Sequence, residues 1–155
     1  MERLVAALKR HQYTLGTAES CTGGLVGKLL TDIAGSSSFY KGGIISYSNE
    51  VKEACLGVSH DSLLTYGAVS EVVAKEMAEG ARRCLKTDIA ISTTGIAGPG
   101  GATETKPVGL VYMAVAGPFN TEVFCHRFSG DRDAVRYEAA KAILQHAADI
   151  MDKEE

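Results

Sequence analysis

Residues 14–35 of the chain read TLGTAESCTGGLVGKLLTDIAG, and this stretch indicates the fold class. Its first part, residues 14–18, has the apolar character of a short strand. Ser20-Cys21-Thr22 then predicts the start of a helix that runs towards Ile33, and Gly35 is a residue type that commonly ends a helix. A strand that passes directly into a helix is the repeating unit of α/β folds.

The rest of the chain continues this alternation of strands and helices. After an amphipathic first helix at 3–12, the periodicity predicts strands at 43–47, 89–93, 110–116 and 122–128. Later helices are predicted to begin near Ser48-Asn49, Ser59, Ser70 and Asp131. The last two strands form a hairpin, which makes the sheet mixed. The sequence therefore predicts a single α/β domain over residues 1–155, a layer fold with a mixed sheet flanked by helices.

The composition excludes several classes of protein. The 155 residues are 45% hydrophobic and carry a net charge of −3, unlike the basic excess of a dedicated nucleic-acid binder. No apolar run approaches the ~18 residues of a membrane span. Four dispersed cysteines without CxxC indicate free thiols, and four histidines without HxxxH spacing disfavour a metal site. We expect a cytoplasmic protein without metal or cofactor, and without nucleic-acid or membrane partners.

Three segments place small and polar residues where predicted strands end. They are AESCTGG at 18–24, YSNEVK at 47–52 and TTG at 93–95. Because ligands of α/β sheets gather at the carboxyl ends of strands, we expect the three segments to meet in one crevice.

Ser20 is the candidate nucleophile of this crevice. At the start of a helix its hydroxyl would lie beside unpaired backbone N–H groups, which could stabilise an oxyanion. Gly23 and Gly24 would let a substrate approach the backbone closely. The alternative is that Ser20 is an N-cap, which the local pattern alone favours. Cys21 is the stronger nucleophile by type, but without a nearby histidine it is interpreted as a packing residue.

Lys52 is the candidate base. No histidine is near any of the three strand ends, so a Ser–His–Asp triad has no second member. Lys52 follows the second strand in the first turn of a helix, where the helix dipole and partial burial could lower its pKa. The alternative is an ordinary solvated lysine.

Two further segments indicate an anion site. The loop at 95–101 fits no standard phosphate-binding motif, but its successive N–H groups could form an anion nest. A flexible turn is the equal alternative. Arg132 and Arg136 are one helical turn apart near a helix N-terminus, which suits a phosphate. The alternative for this pair is surface ion pairing with Asp131 and Asp133.

Taken together, these motifs resemble the CinA C-terminal domain family. The resemblance rests on the segments 18–24, 47–52, 67–70, 94–99, 106–109 and 130–132, in order over nearly the whole chain. It implies a nicotinamide-nucleotide amidase, which converts nicotinamide mononucleotide to nicotinic acid mononucleotide and ammonia. It also implies Ser20 as nucleophile, Lys52 as base, Tyr47 and Thr94 in the site, and an arginine of the 130–132 segment nearby. The family often has further glycines where Ala102-Thr103-Glu104 stands.

The leading hypothesis is a metal-independent amidohydrolase that recycles a pyridine nucleotide. The expected binding residues surround the nucleophile and the loop: Cys21, Thr22, Gly23, Gly24, Gly95, Ala97, Gly98, Gly100, Arg132 and Arg136. The alternatives are a non-catalytic nucleotide-binding or assembly domain and a Ser–Lys peptidase. The apolar strands of the hairpin are expected to be covered by a helix or by a second subunit. Members of the family are also typically homo-oligomers, so we expect a homodimer with two-fold symmetry.

Overall fold

The computed structural model describes residues 1–154 and contains five strands and six α-helices within them. In chain order the elements are α1 Glu2–His11, β1 Leu15–Glu19, α2 Leu25–Thr31, a short 3-10 helix Ser36–Ser38, β2 Tyr40–Ile45, α3 Asn49–Leu56, α4 His60–Tyr66, α5 Glu71–Leu85, β3 Ile89–Gly95, β4 Leu110–Ala116, β5 Thr121–Arg127 and α6 Arg132–Lys153. The predicted α/β fold with a mixed sheet is confirmed.

The strands form one sheet in the order β2-β1-β3-β4-β5. β1 is parallel to both of its neighbours, whereas β3, β4 and β5 are joined antiparallel. Glu19, the last residue of β1, pairs with Ile45 of β2 and Thr93 of β3. The carboxyl ends of three adjacent strands therefore lie side by side, as the sequence predicted.

Helices cover both faces of the sheet. On one face, α1, α2 and α6 bury a core that includes Ile91 and Met113 of the sheet. On the other face, α5 lies on the strands, and α3 and α4 pack against α5. The sheet is lined there by small side chains such as Ala18 and Ala90, so α5 approaches it closely.

Gly80 of α5 fixes the distance between α5 and α3. A β-carbon at this position would overlap the backbone carbonyl of Leu56 in α3. Only glycine allows the two helices to come this close. Because α3 carries Lys52, this contact also sets where the lysine lies relative to the strand ends.

The structure corrects the predicted start of the second helix. α2 begins at Leu25, not at Ser20, and residues 20–24 form a turn. Gly23 and Gly24 have φ values of 58° and 104°, which an α-helix does not accommodate. Ser20 is therefore neither the first residue of a helix nor its N-cap.

The second strand is also displaced from its prediction. β2 covers Tyr40–Ile45, so Tyr47 lies beyond the strand rather than in it. Beyond the end of the strand, the carbonyl oxygens of Ser46 and Tyr47 accept hydrogen bonds from the Lys52 Nζ. The predicted N-caps Ser48, Ser59, Ser70 and Asp131 are confirmed, each accepting a hydrogen bond from the first turn of its helix.

Two of the expectations concern membrane association and oligomerisation. No helix in residues 1–154 is both long and apolar enough to cross a membrane. Within the same residues β5 pairs with β4 alone and forms one edge of the sheet. The homodimer stays a prediction.

Candidate active site

Ser20 and Lys52 are in direct contact at the carboxyl end of β1. The Lys52 Nζ donates a hydrogen bond of 2.9 Å to the Ser20 Oγ and one of 2.7 Å to the Ser46 carbonyl oxygen. Ser20 is 8% exposed and Lys52 only 1% exposed. The two predicted catalytic side chains thus form a buried pair, and both line the same cavity.

The environment of Lys52 destabilises its charged form relative to a lysine in water. Lys52 lies in the first turn of α3, four positions after its N-cap Ser48. The Ser48 side chain accepts a hydrogen bond from the Val51 N–H. No carboxylate in residues 1–154 forms an ion pair with Lys52. Burial lowers the pKa of Lys52 from 10.5 to about 8 because an ammonium loses its hydration there. Near pH 8 this lysine can therefore accept a proton.

The turn that carries Ser20 is fixed at its base by Glu19. One carboxylate oxygen accepts hydrogen bonds from the Thr22 hydroxyl and from the N–H groups of Gly24 and Val26, at 2.6, 3.1 and 2.8 Å. The other accepts one of 3.0 Å from the Gly27 N–H. Glu19 is 3% exposed and takes the N-capping role for α2 that Ser20 does not have.

The two arginines of α6 lie in different environments. Arg132 borders the cavity beside Ser20 and donates to the Gly98 carbonyl at 2.9 Å and to the Tyr47 hydroxyl at 3.3 Å. Arg136 donates to the carbonyl oxygens of Cys21 and Thr22, at 3.1 and 3.0 Å. Neither forms an ion pair with Asp131 or Asp133 in the described structure.

The cavity beside the serine–lysine pair has a volume of about 260 Å³. Tyr47 stands at its mouth and is 64% exposed. Thr94 is buried and donates to the Ala68 carbonyl oxygen at 2.8 Å, which ties β3 to the segment before α5. The complete lining is Ser20, Cys21, Tyr47, Asn49, Lys52, Ala68, Val69, Thr94, Gly95, Ala97 and Arg132.

Several predicted binding residues do not reach this cavity. Among the glycine-rich loop residues, Gly95 and Ala97 line the cavity, whereas Gly98 and Gly100 do not. The Gly98 carbonyl oxygen accepts a hydrogen bond from Arg132, which does line it. The anion nest is also incomplete, because the Ile96 N–H donates to the Leu110 carbonyl oxygen. The predicted binding residues that lie behind the nucleophile instead of in the cavity are Thr22, Gly23, Gly24 and Arg136.

Cys21 lines the cavity but has no activated thiol. Burial raises its pKa to about 12, because no bulk solvent stabilises a thiolate there. None of the four histidines borders the cavity; His60 contacts Glu53, and His126 contacts His146. In residues 1–154 no group of three or more His, Cys, Asp or Glu side chains is placed to hold a metal ion.

Four residues at the site were part of the quoted motifs but were not predicted as site residues: Glu19, Asn49, Ala68 and Val69. Glu19 was recognisable in principle, since an acidic residue just before a helix often binds its free N–H groups. Asn49 lies next to a predicted N-cap and carried no separate signal. Ala68 and Val69 belong to the segment between α4 and α5, and only the tertiary structure brings that segment to the site.

A larger cavity, of about 470 Å³, lies far from this chemistry. It is lined by the end of α5 and by residues of β4 and β5. Ala116, one of its lining residues, pairs with Ala90 near the start of β3, so the cavity lies at the opposite end of the sheet from Ser20. It contains no serine–lysine pair.

These features define a class of protein: an α/β domain whose parallel strands end at a buried serine–lysine pair beside a small polar cavity. A sequence profile described as the CinA C-terminal domain matches residues 1–151. The chain belongs to this family, which confirms the resemblance drawn from the motifs.

Similar proteins agree with this assignment. The protein named nicotinamide-nucleotide amidohydrolase PncC from Escherichia coli K12 is 50% identical over 147 residues, which are 93% of this chain and 88% of that protein. A CinA-like protein from Cyanothece is 52% identical over 141 residues, 90% of this chain but 34% of that protein. The chain thus spans about a third of the length of several relatives.

Solved structures share the fold. The crystal structure of a CinA superfamily protein from Klebsiella pneumoniae superimposes with a TM-score of 0.94 at 34% identity, covering 97% of this chain and 94% of that one. The competence/damage inducible protein from Agrobacterium tumefaciens gives 0.88 at 38% identity, covering 94% and 89%. The whole described domain therefore has the family architecture.

Proposed function

We propose that the chain hydrolyses the carboxamide of nicotinamide mononucleotide, giving nicotinic acid mononucleotide and ammonia. The observation that carries the proposal is the 2.9 Å contact between the Ser20 Oγ and the buried Lys52 Nζ, open to a cavity. Support for the substrate comes from the relative named nicotinamide-nucleotide amidohydrolase, which is similar along 93% of the chain. The reaction would serve pyridine nucleotide salvage in the cytoplasm.

In the proposed mechanism, neutral Lys52 takes the proton of the Ser20 hydroxyl as the Ser20 Oγ attacks the carboxamide carbon. The lysine then returns that proton to the departing nitrogen, and ammonia leaves from a tetrahedral intermediate. Water attacks the resulting ester with Lys52 as base again, which releases the carboxylate and restores the serine. A positioned base of this kind contributes about 10²–10⁴-fold to the rate.

The oxyanion of the intermediate would be held by backbone N–H groups of the turn after Ser20. The Cys21 carbonyl oxygen accepts a hydrogen bond from Arg136. Because a trans peptide points its N–H opposite to its carbonyl, the Thr22 N–H of the same peptide is directed away from Arg136. No acceptor in residues 1–154 takes this N–H. Thr22 does not line the cavity itself, but this free N–H is one peptide away from Cys21, which does, and we assign oxyanion stabilisation to it.

Arg132 is the group that would bind the phosphate. It is the only arginine or lysine besides Lys52 that lines the cavity, counted over residues 1–154. No carboxylate of that part of the chain neutralises it. Its remaining N–H donors are suited to a phosphate dianion, and its contact with Tyr47 keeps it over the cavity mouth.

An ammonia-release assay tests the proposed function directly. We expect purified protein to release ammonia from nicotinamide mononucleotide, with the same rate in excess EDTA, because the groups that carry the reaction are side chains. Binding of the nucleotide without ammonia release would favour the alternative, a non-catalytic nucleotide-binding domain. Loss of activity in EDTA that added metal restores would contradict the mechanism.

The pH dependence of the reaction follows from the lowered pKa of Lys52. Below about pH 8 the lysine is an ammonium and cannot accept the serine proton. We therefore expect kcat/KM to rise about tenfold per pH unit at acidic pH and to level off with an apparent pKa near 8. Initial rates between pH 6 and 9.5 measure this, with enzyme stability checked at each pH. A rate that is flat from pH 6 to 9 would exclude Lys52 as the base.

A further inference from the structure

We propose that Glu19 and Arg136 are positioning residues that hold the nucleophile turn, residues 20–24, from opposite sides. The sequence placed Arg136 among the candidate phosphate ligands, and it assigned Glu19 no role. The rate measurements below rest on the proposed function, whereas the labelling experiment does not depend on it.

The turn needs such support because it lacks regular structure of its own. Its internal backbone hydrogen bond joins the Gly23 N–H to the Ser20 carbonyl oxygen, and the Ser20 N–H donates to Thr93 of β3. Gly23 and Gly24 have positive φ, so the turn is built from residues with the greatest conformational freedom. Without external contacts, the Ser20 Oγ would not be confined to within 2.9 Å of the Lys52 Nζ.

Arg136 holds the carbonyl side of the turn. Its guanidinium reaches two successive carbonyl oxygens, those of Cys21 and Thr22, through two different nitrogens. A β-carbon on Gly23 would lie 3.1 Å from the Arg136 Nη2, so the glycine leaves the room that the guanidinium occupies. The Arg136 side chain does not line the cavity and is not placed to touch a substrate.

Glu19 holds the amide side of the turn. Its buried carboxylate accepts three backbone N–H groups and the Thr22 hydroxyl, which also contacts the Thr93 hydroxyl at 2.7 Å. Hydrogen bonds to charged groups are stronger than those between neutral groups. The Glu19 carboxylate therefore holds the Gly23–Gly24 peptide and the start of α2, and the Arg136 guanidinium holds the two peptides that follow Cys21 and Thr22.

Kinetics with two substrates separates positioning from phosphate binding. We expect Arg136→Met to lower kcat by about 10²-fold, as a misplacement of about 1 Å does, with little change in KM. The loss should be equal for nicotinamide mononucleotide and its riboside, and Arg136→Lys should recover part of it. Arg127→Met is the matched control, because Arg127 is exposed on β5 and should leave both rates unchanged. An Arg136→Met loss confined to the nucleotide would overturn the proposal.

A substrate-independent readout uses a fluorophosphonate. The Ser20 Oγ attacks its phosphorus, the P–O bond forms, fluoride leaves, and Lys52 receives the serine proton. We expect Arg136→Met and Glu19→Gln to slow this labelling by about the factor seen in kcat, with Lys52 unchanged as the base. Mass spectrometry of the labelled peptide assigns the site, and melting curves confirm that the variants are folded.

The outcomes distinguish a failure of the proposed function from a failure of the positioning role. If the wild-type protein is labelled but releases no ammonia, the proposed function fails and the labelling rates still test the positioning. If Arg136→Met and Arg136→Lys are both labelled at the wild-type rate, the positioning role is wrong. Glu19→Gln presents an amide N–H to a backbone N–H, so a wild-type labelling rate in that variant would equally exclude Glu19.

Discussion

Ser20→Ala is expected to lower kcat by roughly 10⁴-fold or more, because the variant has no oxygen to form the acyl-enzyme. Lys52→Met should cause a loss of similar size, since the serine then keeps its proton at neutral pH. The double variant should be little slower than either single one, because nucleophile and base act as a unit. Single-turnover ammonia release, with enzyme in excess over nucleotide, measures rates this low.

Two controls make this result specific. Cys21→Ala should keep most of the activity, because burial raises the pKa of the Cys21 thiol to about 12 and leaves no thiolate. Lys52→Met should not lower the melting temperature, since a buried ammonium without an ion-pair partner opposes folding. An inactive Cys21→Ala together with an active Ser20→Ala would reverse the assignment of the nucleophile.

The parts of the fold that were predictable are those encoded by neighbouring residues. Ser48, Ser70 and Asp131 were recognised as helix caps because a capping side chain acts on N–H groups within three residues of itself. The convergence of the strand ends was also predictable. It follows from the alternation of strands and helices, which makes adjacent strands parallel.

The nucleophile turn shows where this local reasoning fails. A serine followed by small residues and an apolar run has the pattern of a helix start, and capping competes with nucleophilic use of the same residue. The decisive feature is the positive φ at both Gly23 and Gly24, which delays the helix to Leu25. Glycine permits that conformation but does not require it, so the sequence alone allowed both structures.

The choice between Arg132 and Arg136 was undecidable from sequence for a different reason. Residues one helical turn apart share a face of the helix, so the helix period assigns them the same direction. What separates them is the tertiary structure around each position. Arg132, the first residue of α6, lies at the cavity mouth, whereas Arg136, one turn further along, lies behind the Ser20 turn.

The proposed recognition of phosphate by Arg132 predicts a second large effect, on the choice of substrate. We expect kcat/KM for nicotinamide mononucleotide to exceed that for its riboside by about 10²-fold. The riboside leaves the guanidinium facing the cavity without an anion, and a site built to pair with a charged group discriminates against a ligand that lacks it.

Arg132→Met tests whether that discrimination comes from this one side chain. We expect it to bring kcat/KM for the nucleotide down to near the riboside value and to leave the riboside value within about threefold, so the two losses are not additive. Arg83→Met is the matched control, because Arg83 is exposed and borders the distant cavity at the other end of the sheet. The effect of Arg132 on kcat/KM should also shrink at high ionic strength, as expected for an ion pair that solvent can reach.

Equal kcat/KM for nucleotide and riboside in the wild-type protein would show that the phosphate is not recognised. The cavity would then have to select its substrate through the pyridine and ribose alone, by way of Tyr47 and Asn49.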